Sequence, residues 1–299
     1  MIKTDNVDIS FIIVNYNTTD LLIESVRSII NKTKSPLYEI IVVDNASPDN
    51  GAKRIRQELQ DKIQLIVSEK NLGFGGANNL GLAKAKGKYI LFLNPDTVLL
   101  NDASYIFKNY MDTHKEQRVG AIGCILLDTH MKPSNSYGLF LTPKNIIFTA
   151  LKLNKKEKYK NIITPIDVDF VTGAALFVPR KVLDDIGHFD EQFFMYCEEV
   201  DLEKRMADNG YKRIVIPGPQ IIHYDGASFS SKNKRSAHRR KMYDYSKMVY
   251  IRKHYNNKKY FLFRLLFLIF RIPAYFNYHY TVTENLSYFM MIVKPNIKR

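Results

Sequence analysis

Five short stretches of this sequence hold residue types that could do chemistry. Four of them directly follow apolar runs: Asn15-Tyr16-Asn17, Asp44-Asn45, Asn71-Leu72-Gly73-Phe74-Gly75-Gly76-Ala77-Asn78-Asn79, and Asn94-Pro95-Asp96. The fifth, Glu198-Glu199-Val200-Asp201, sets three carboxylates within one helical turn. A carboxylate within hydrogen-bond reach of a hydroxyl can take its proton. Aspartate oxygens suit hard divalent cations, and bare backbone N–H groups at a glycine-rich helix start can hold a phosphate. The glycine stretch matches neither common nucleotide motif. Asn78 stands where G-x-G-x-x-G needs its third glycine, and no Gly-Lys-Ser/Thr completes a P-loop.

Each stretch also has a plain structural reading. Asp44 could cap a turn, and Asn94-Pro95-Asp96 could cap a helix. The three acids could complement a helix dipole, with Asp201 pairing Arg205 one turn on. Cys197 beside them reads as packing, since no histidine partner nearby would activate it.

The elements that must position these residues alternate in type. Ile9–Val14, Ile40–Val43, Ile63–Val67 and Tyr89–Leu93 read as buried strands. Between them lie helical patterns: one behind Thr18-Thr19-Asp20, one opening at Pro48 and running to about Leu59, and one over Gly75–Lys86. Strands separated by helices of this length make a mostly parallel sheet covered on both faces. Ligands bind such a sheet at the carboxyl ends of its strands, which is where the four polar stretches fall. Further on, a helix is expected near Ala103–His114, strands at Val119–Leu126 and Val168–Val171, and a helix starting near Glu199. Residues 128–165 read as a long surface excursion.

Taken in order, these motifs resemble the family 2 glycosyltransferases, inverting enzymes of GT-A fold, and their rhamnosyltransferase-like branch most closely. The resemblance runs over about residues 8–228 and includes Thr172-Gly173-Ala174, together with Phe189-Asp190-Glu191-Gln192-Phe193-Phe194-Met195-Tyr196-Cys197-Glu198-Glu199-Val200-Asp201-Leu202. It implies one α/β GT-A domain, with a nucleotide-sugar-binding half over 1–100 and an acceptor-binding and catalytic half over 101–228. The donor site would comprise Asn15, Asn17, Asp44, Asn71, Gly75, Gly76, Asn78, Asn79, Asn94 and Asp96, and the acceptor would meet Gly173. Glu199, the second member of the acidic pair with Glu198, would be the base, and Asp201 would orient acceptor or base. Asp96 and His223 would hold a divalent metal, Mn²⁺ or Mg²⁺. Here Asn94 replaces the first aspartate of the family's metal motif and removes one charge from it. The reaction implied is sugar transfer from a UDP- or dTDP-sugar to a lipid-linked or polysaccharide acceptor.

Charge locates a second unit. The chain has 299 residues and a formal net charge of +14, all of it in residues 226–299, where 16 Lys+Arg face only Asp244 and Glu284. That basic helical extension over 229–299 is also rich in Phe, Tyr and Leu. Its longest apolar run, Leu265–Phe270, is far short of the ~20 residues that span a bilayer. Basic residues beside aromatics suit an anionic membrane surface; the alternative is a helix packed on the body. No nucleic-acid recognition motif accompanies the charge. Two cysteines form no disulfide framework, and no secretory signal is readable, so the expected place is the cytoplasm, at the inner face of the membrane. Two other functions share these features: a sugar-nucleotidyltransferase, which would need a basic glycine-rich loop where Asn15-Tyr16-Asn17-Thr18 stands, and a non-catalytic membrane- or polyanion-binding protein.

Overall fold

The structure, a computed structural model, describes residues 7–142, 145, 159–224 and 236–295. The first half runs β1 (Ile9–Asn15), α1 (Thr19–Lys32), β2 (Tyr38–Asp44), α2 (Gly51–Leu59), β3 (Gln64–Val67), α3 (Gly73–Leu82), β4 (Tyr89–Leu93), β5 (Thr97–Leu99), α4 (Ala103–Thr113) and β6 (Val119–Cys124). Then come β7 (Tyr137–Gly138), β8 (Ile166–Asp167), β9 (Phe170–Val171), β10 (Ala175–Pro179), α5 (Arg180–Ile186), α6 (Glu198–Asp208), β11 (Lys212–Ile216) and β12 (Ile221–His223). The C-terminal unit contains α7 (Ala237–His254), α8 (Asn257–Phe270), α9 (Ile272–Tyr275) and α10 (Val282–Val293).

Eight strands form the central sheet in the order β3-β2-β1-β4-β10-β6-β11-β8. The first four are mutually parallel, as are β6 and β11. β10 lies antiparallel between β4 and β6, so both of those point the same way. Six strands therefore end on one edge. Alternate residues supply two cores, as a period of two requires. Phe11, Ile13, Leu91 and Phe177 face the α1 and α4 layer. Ile12, Phe92, Leu176 and Val178 face α5 and α6.

The sequence reading needs four corrections here. α2 starts at Gly51, three residues after Pro48, because Asn50 sits at φ 56, a left-handed conformation no helix start can include. α3 begins at Gly73 and ends at Leu82 instead of Lys86. The chain then turns at Gly87, whose N–H donates to Ser10 Oγ at 2.8 Å; a Cβ there would stand 2.4 Å from the Ser10 nitrogen. β10, a central strand, was not anticipated: Ala175–Val178 is a short apolar run closed by Pro179. The expected surface excursion carries β7 and the buried Phe140 among its described residues. Residues 143–144 and 146–158 lie outside them.

The C-terminal unit builds a third core. Phe193, Cys197 and Val200 of the body pack with Tyr250, Tyr260, Phe263, Tyr288 and Ile292 of the extension. So α7, α8 and α10 cover the body, as the packing alternative supposed. Their outer side is also apolar: Phe261, Leu265 and Ile269 of α8 and Val282 and Leu286 of α10 are exposed, Val282 by 84%.

Candidate active site

At the carboxyl edge, Asn15 and Asp44 stand opposite each other in the β1–β2 register. Asn15 Nδ2 donates to Asp44 Oδ1 at 2.8 Å, and Ser47 Oγ donates to the same oxygen at 2.7 Å. Asn15 Oδ1 accepts from the Thr18 hydroxyl at 3.0 Å and its N–H at 3.3 Å, so the amide closes the turn into α1. Asn17, at φ 60, is exposed beside them, its N–H donating to Ser47 Oγ at 3.0 Å. The Asp44 carboxylate is buried, fixed in aim, and reached by only a few donors. A buried carboxylate of this kind can accept a further N–H from a ligand.

The glycine-rich stretch is tied into the protein by its own backbone and amides. Gly73 N–H donates to Asn71 Oδ1 at 2.9 Å, and Phe74 N–H donates to the Phe194 carbonyl at 2.9 Å, so protein groups already meet the start of α3. Asn45 binds back to Asn71, to the Gly73 carbonyl and to the Leu72 N–H. Asn78 donates to the Phe74 carbonyl at 3.0 Å, and Asn79 both donates to and accepts from the Phe189 backbone. A Cβ on Gly73 would stand 2.0 Å from Phe194 O, and Cβ atoms on Gly75 and Gly76 would press on Phe189 and Leu72 at 3.1 Å. Asn71, Asn78 and Asn79, expected at the donor, have these internal partners, and Gly75 and Gly76 lie against Phe189 and Leu72 at the start of α3. Side chains were left out here, and amides put in, so that α3 can lie against the loop that carries the acidic pair.

Asn94, Asp96 and His223 do come together. The β5–β12 pairing sets His223 opposite Thr97, which brings His223 Nε2 to 3.3 Å from Asp96 Oδ1. Asn94 Nδ2 lies 3.5 Å from the same ring nitrogen. Asp96 is 3% exposed, and His223 Nδ1 is buried with no hydrogen-bond partner among the described residues. One carboxylate and one imidazole fit Mn²⁺, which accepts oxygen and nitrogen donors, and Mg²⁺ less well. Two protein ligands leave positions that phosphate oxygens can take. No group of three His, Cys, Asp or Glu side chains gathers as a ligand set among the described residues.

The acidic pair opens α6 behind an unusual turn. Tyr196 and Cys197 sit at φ 71 and 69, two successive non-glycine residues in left-handed conformation. Each such residue costs ~1–3 kcal/mol, a strain that persists only where the surroundings impose it. Glu199 follows, half-buried, with backbone N–H groups near its carboxylate, Gly173's among them. Gly173 also leaves room: its absent Cβ would contact the Phe74 ring at 3.5 Å and Glu199 at 3.7 Å. Burial raises the Glu199 carboxyl above the usual carboxylate range against those N–H groups. Burial, and next the Glu199 charge, raise Glu198 well above it. Glu198 Oε2 is buried and lacks a partner among the described residues.

Asp201 does not face this site. Its carboxylate accepts from Arg205 Nε at 3.0 Å and His254 Nε2 at 2.8 Å, and pairs with Lys253 Nζ at 2.9 Å. Two of its three partners belong to α7. The expected orienter of acceptor or base is, in geometry, a bridge to the C-terminal unit. Cys197 is buried, and burial pushes its thiol well above its ordinary value, which suits packing.

One residue was missed by the sequence reading of the site, and another was named there only as part of a motif. Glu203, fully buried, accepts the Val171 N–H at 2.8 Å and lies one helical turn beyond Glu199. Its position four residues after Glu199 was the available signal. Thr172 carries a buried hydroxyl without a partner among the described residues, next to Gly173.

The eight-stranded, mostly parallel sheet is that of a GT-A fold, with an Asp–His pair after β4 and a carboxylate pair beside Gly173. Two solved structures share the fold. One, described as GalNAc-T7 with UDP, GalNAc and Mn²⁺, superposes with TM-score 0.57 at 15% identity, covering 82% of this chain and 50% of that one. The other, residues 1–349 of S. aureus TarS, gives 0.50 at 17% identity over 95% of this chain and 71% of that one. Residues 10–187 match the family described as Glycosyl transferase family 2. The chain belongs to that family and is a glycosyltransferase. It is 30% identical over 210 residues to the rhamnosyltransferase WbbL of Escherichia coli, covering 65% of this chain and 77% of that protein. It is 24% identical to the N-acetylglucosaminyl-diphospho-decaprenol L-rhamnosyltransferase of Mycobacterium tuberculosis, over 66% and 69% of the two chains. It is also 28% identical to the hexosyltransferase Agl10 of Haloferax volcanii, whose length it spans by 60%.

Proposed function

We propose that the protein transfers a rhamnosyl or other hexosyl residue, with inversion, from a UDP- or dTDP-sugar to a lipid-linked or polysaccharide acceptor during glycan synthesis. The observation that carries this reading is Glu199, packed beside Gly173 on the same sheet edge as Asp44 and the Asp96–His223 pair.

Inversion requires the acceptor hydroxyl to attack from the face opposite the leaving group, through an oxocarbenium-like transition state. Glu199 takes the hydroxyl proton. Its raised carboxyl makes it the stronger base once ionised. Asp44, braced by Asn15 and Ser47, accepts the imide N–H of a pyrimidine base, with Asn17 beside it. Asn94 and Asp96 border the diphosphate. A divalent cation held by Asp96 and His223 would neutralise the charge that develops on the leaving diphosphate. Buried Glu198 stays protonated beside ionised Glu199, since two close carboxylates resist ionising together.

Glu199→Gln keeps the shape and removes the proton acceptor. Turnover should fall ~10²–10⁴-fold with donor binding nearly unchanged. In the native enzyme kcat should be lost as pH falls through a value above the ordinary glutamate range, because the base must be ionised. Near-normal turnover in the variant would remove Glu199 from this role. The same loss in Glu198→Gln alone would move the role one residue.

The placement proposed is the cytoplasmic face of an anionic membrane. Supporting it are the basic excess of residues 226–299 and the exposed apolar side chains of α8 to α10. No helix of the described residues is long and apolar enough to cross a membrane.

A further inference from the structure

The C-terminal unit does more than cover the body. Its helix α7 touches the backbone turn from which the acidic pair is launched. Ser246 Oγ, on α7 and 2% exposed, donates to the Met195 carbonyl at 2.7 Å. Arg239 Nε, one end of the same helix, donates to the Tyr196 hydroxyl at 2.8 Å. Tyr243 packs edge-on against the Tyr196 ring at 5.2 Å between centroids. At the other end of α7, Lys253 and His254 hold Asp201, three residues beyond Glu198. The turn between these grips contains the two left-handed residues Tyr196 and Cys197. Its other side is tied to the donor half, through the Phe194 carbonyl that accepts the Phe74 N–H.

Two adjacent non-glycine residues in that conformation do not hold themselves, and relaxing either would rotate the first turn of α6. We infer that α7 is a positioning element of the active site: Ser246, Arg239 and Tyr243 clamp the 195–197 turn and so fix where Glu198 and Glu199 point. The inference rests on the reading of Glu199 as the base. None of the clamping residues acts on substrate itself. They act through the turn.

The test is Ser246→Ala and, separately, Tyr196→Phe, which removes the oxygen that Arg239 binds and keeps the ring on Tyr243. Both are measured in the full chain, with saturating acceptor and varied donor, alongside thermal unfolding. A shift of about an ångström in a catalytic group costs up to ~10²-fold. Each variant should therefore lose ~10- to 100-fold in kcat while the donor KM stays within about twofold and the protein remains folded at assay temperature. Loss of fold alone would lower the active fraction and the melting temperature together, so kcat is referred to titrated folded protein. If Ser246→Ala does not fold, Tyr196→Phe decides. Unchanged kcat in folded Tyr196→Phe and Ser246→Ala, or unchanged kcat in Tyr196→Phe where it alone folds, overturns the inference. Glu199→Gln run in parallel separates the two readings: normal turnover there refutes the base, while a kcat loss confined to the clamp variants leaves α7 positioning a different group on α6.

Discussion

Replacing Asp201 by Asn tests whether the carboxylate three residues past Glu198 is a bridge or part of the chemistry. The native side chain is fully buried and meets two cationic side chains, of Arg205 and Lys253, and the His254 ring. Breaking a buried ion pair by removing one partner costs ~3–5 kcal/mol. Part of that is recovered here. Lys253 keeps Asp190 at 2.5 Å, and Arg205 keeps the carbonyls of Ile186 and His188. The net loss should be ~2 kcal/mol, which lowers the melting temperature by ~3 °C for a chain of 299 residues. The dependence on pH has a definite sign. Burial alone would raise the Asp201 carboxyl, but the His254 hydrogen bond and the Arg205 and Lys253 charges outweigh it and hold the group low. A lowered carboxyl contributes stability above the ordinary carboxylate range and loses it as pH falls through the folded value. The gap between native and Asp201→Asn protein in urea unfolding should therefore be full at pH 7 and narrow in acid, below about pH 4. Equal melting temperatures at pH 7, or a gap that ignores pH, would refute the bridge.

Three other outcomes are expected. Asp44→Ala should weaken binding of UDP- or dTDP-sugars while the fold survives; calorimetric affinities equal to the native protein's for every donor would take Asp44 out of the pocket. Chelation should abolish transfer and Mn²⁺ should restore it, whereas Asp96→Ala should stay inactive at any metal concentration; full activity in excess chelator sinks the Asp96–His223 assignment. Leu262→Asp with Leu265→Asp and Ile269→Asp, all on the outer side of α8, should reduce co-sedimentation with anionic vesicles and leave the melting curve in place. High salt should release the native protein only partly, since each basic contact contributes ~1 kcal/mol and is screened while the apolar part is not. Equal sedimentation of native and triple variant would exclude that side. Truncation near Ser231 would not isolate membrane binding, because it would also remove most of the third core.

The parallel half of the sheet was legible in the sequence because β1, β2 and β4 are buried runs closed by polar turns. Their ends, and so Asn15, Asp44 and Asp96, could be placed before any coordinate was known. The roles expected of Gly173 and Glu199 rested on family resemblance alone; no local spacing links residues so far apart, and their contact is seen only in the fold. What sequence could not give was who binds whom. Asparagines in a glycine-rich stretch look the same whether they meet a ligand or close a loop, and Asn78 and Asn79 close one. Asp201 looked like a third active-site acid because its partners Lys253 and His254 lie in a unit read only for its charge. β10 was hidden by shortness: five residues, one of them proline, carry little pattern.

The place of β10 also sets a timetable for synthesis on the ribosome. β4 ends at Leu93, and the strand that must pair with its free side begins at Ala175. At ~5–20 residues per second, the intervening chain takes on the order of ten seconds to emerge. Through that interval the nascent β3-β2-β1-β4 sheet presents an unpaired edge made of Tyr89, Ile90, Leu91, Phe92 and Leu93, residues that are buried in the finished protein. An apolar edge of that kind pairs readily with other strands. Ribosome-associated holdase chaperones should therefore dwell on this chain between the appearance of β4 and that of β10, and leave it once β10 has inserted.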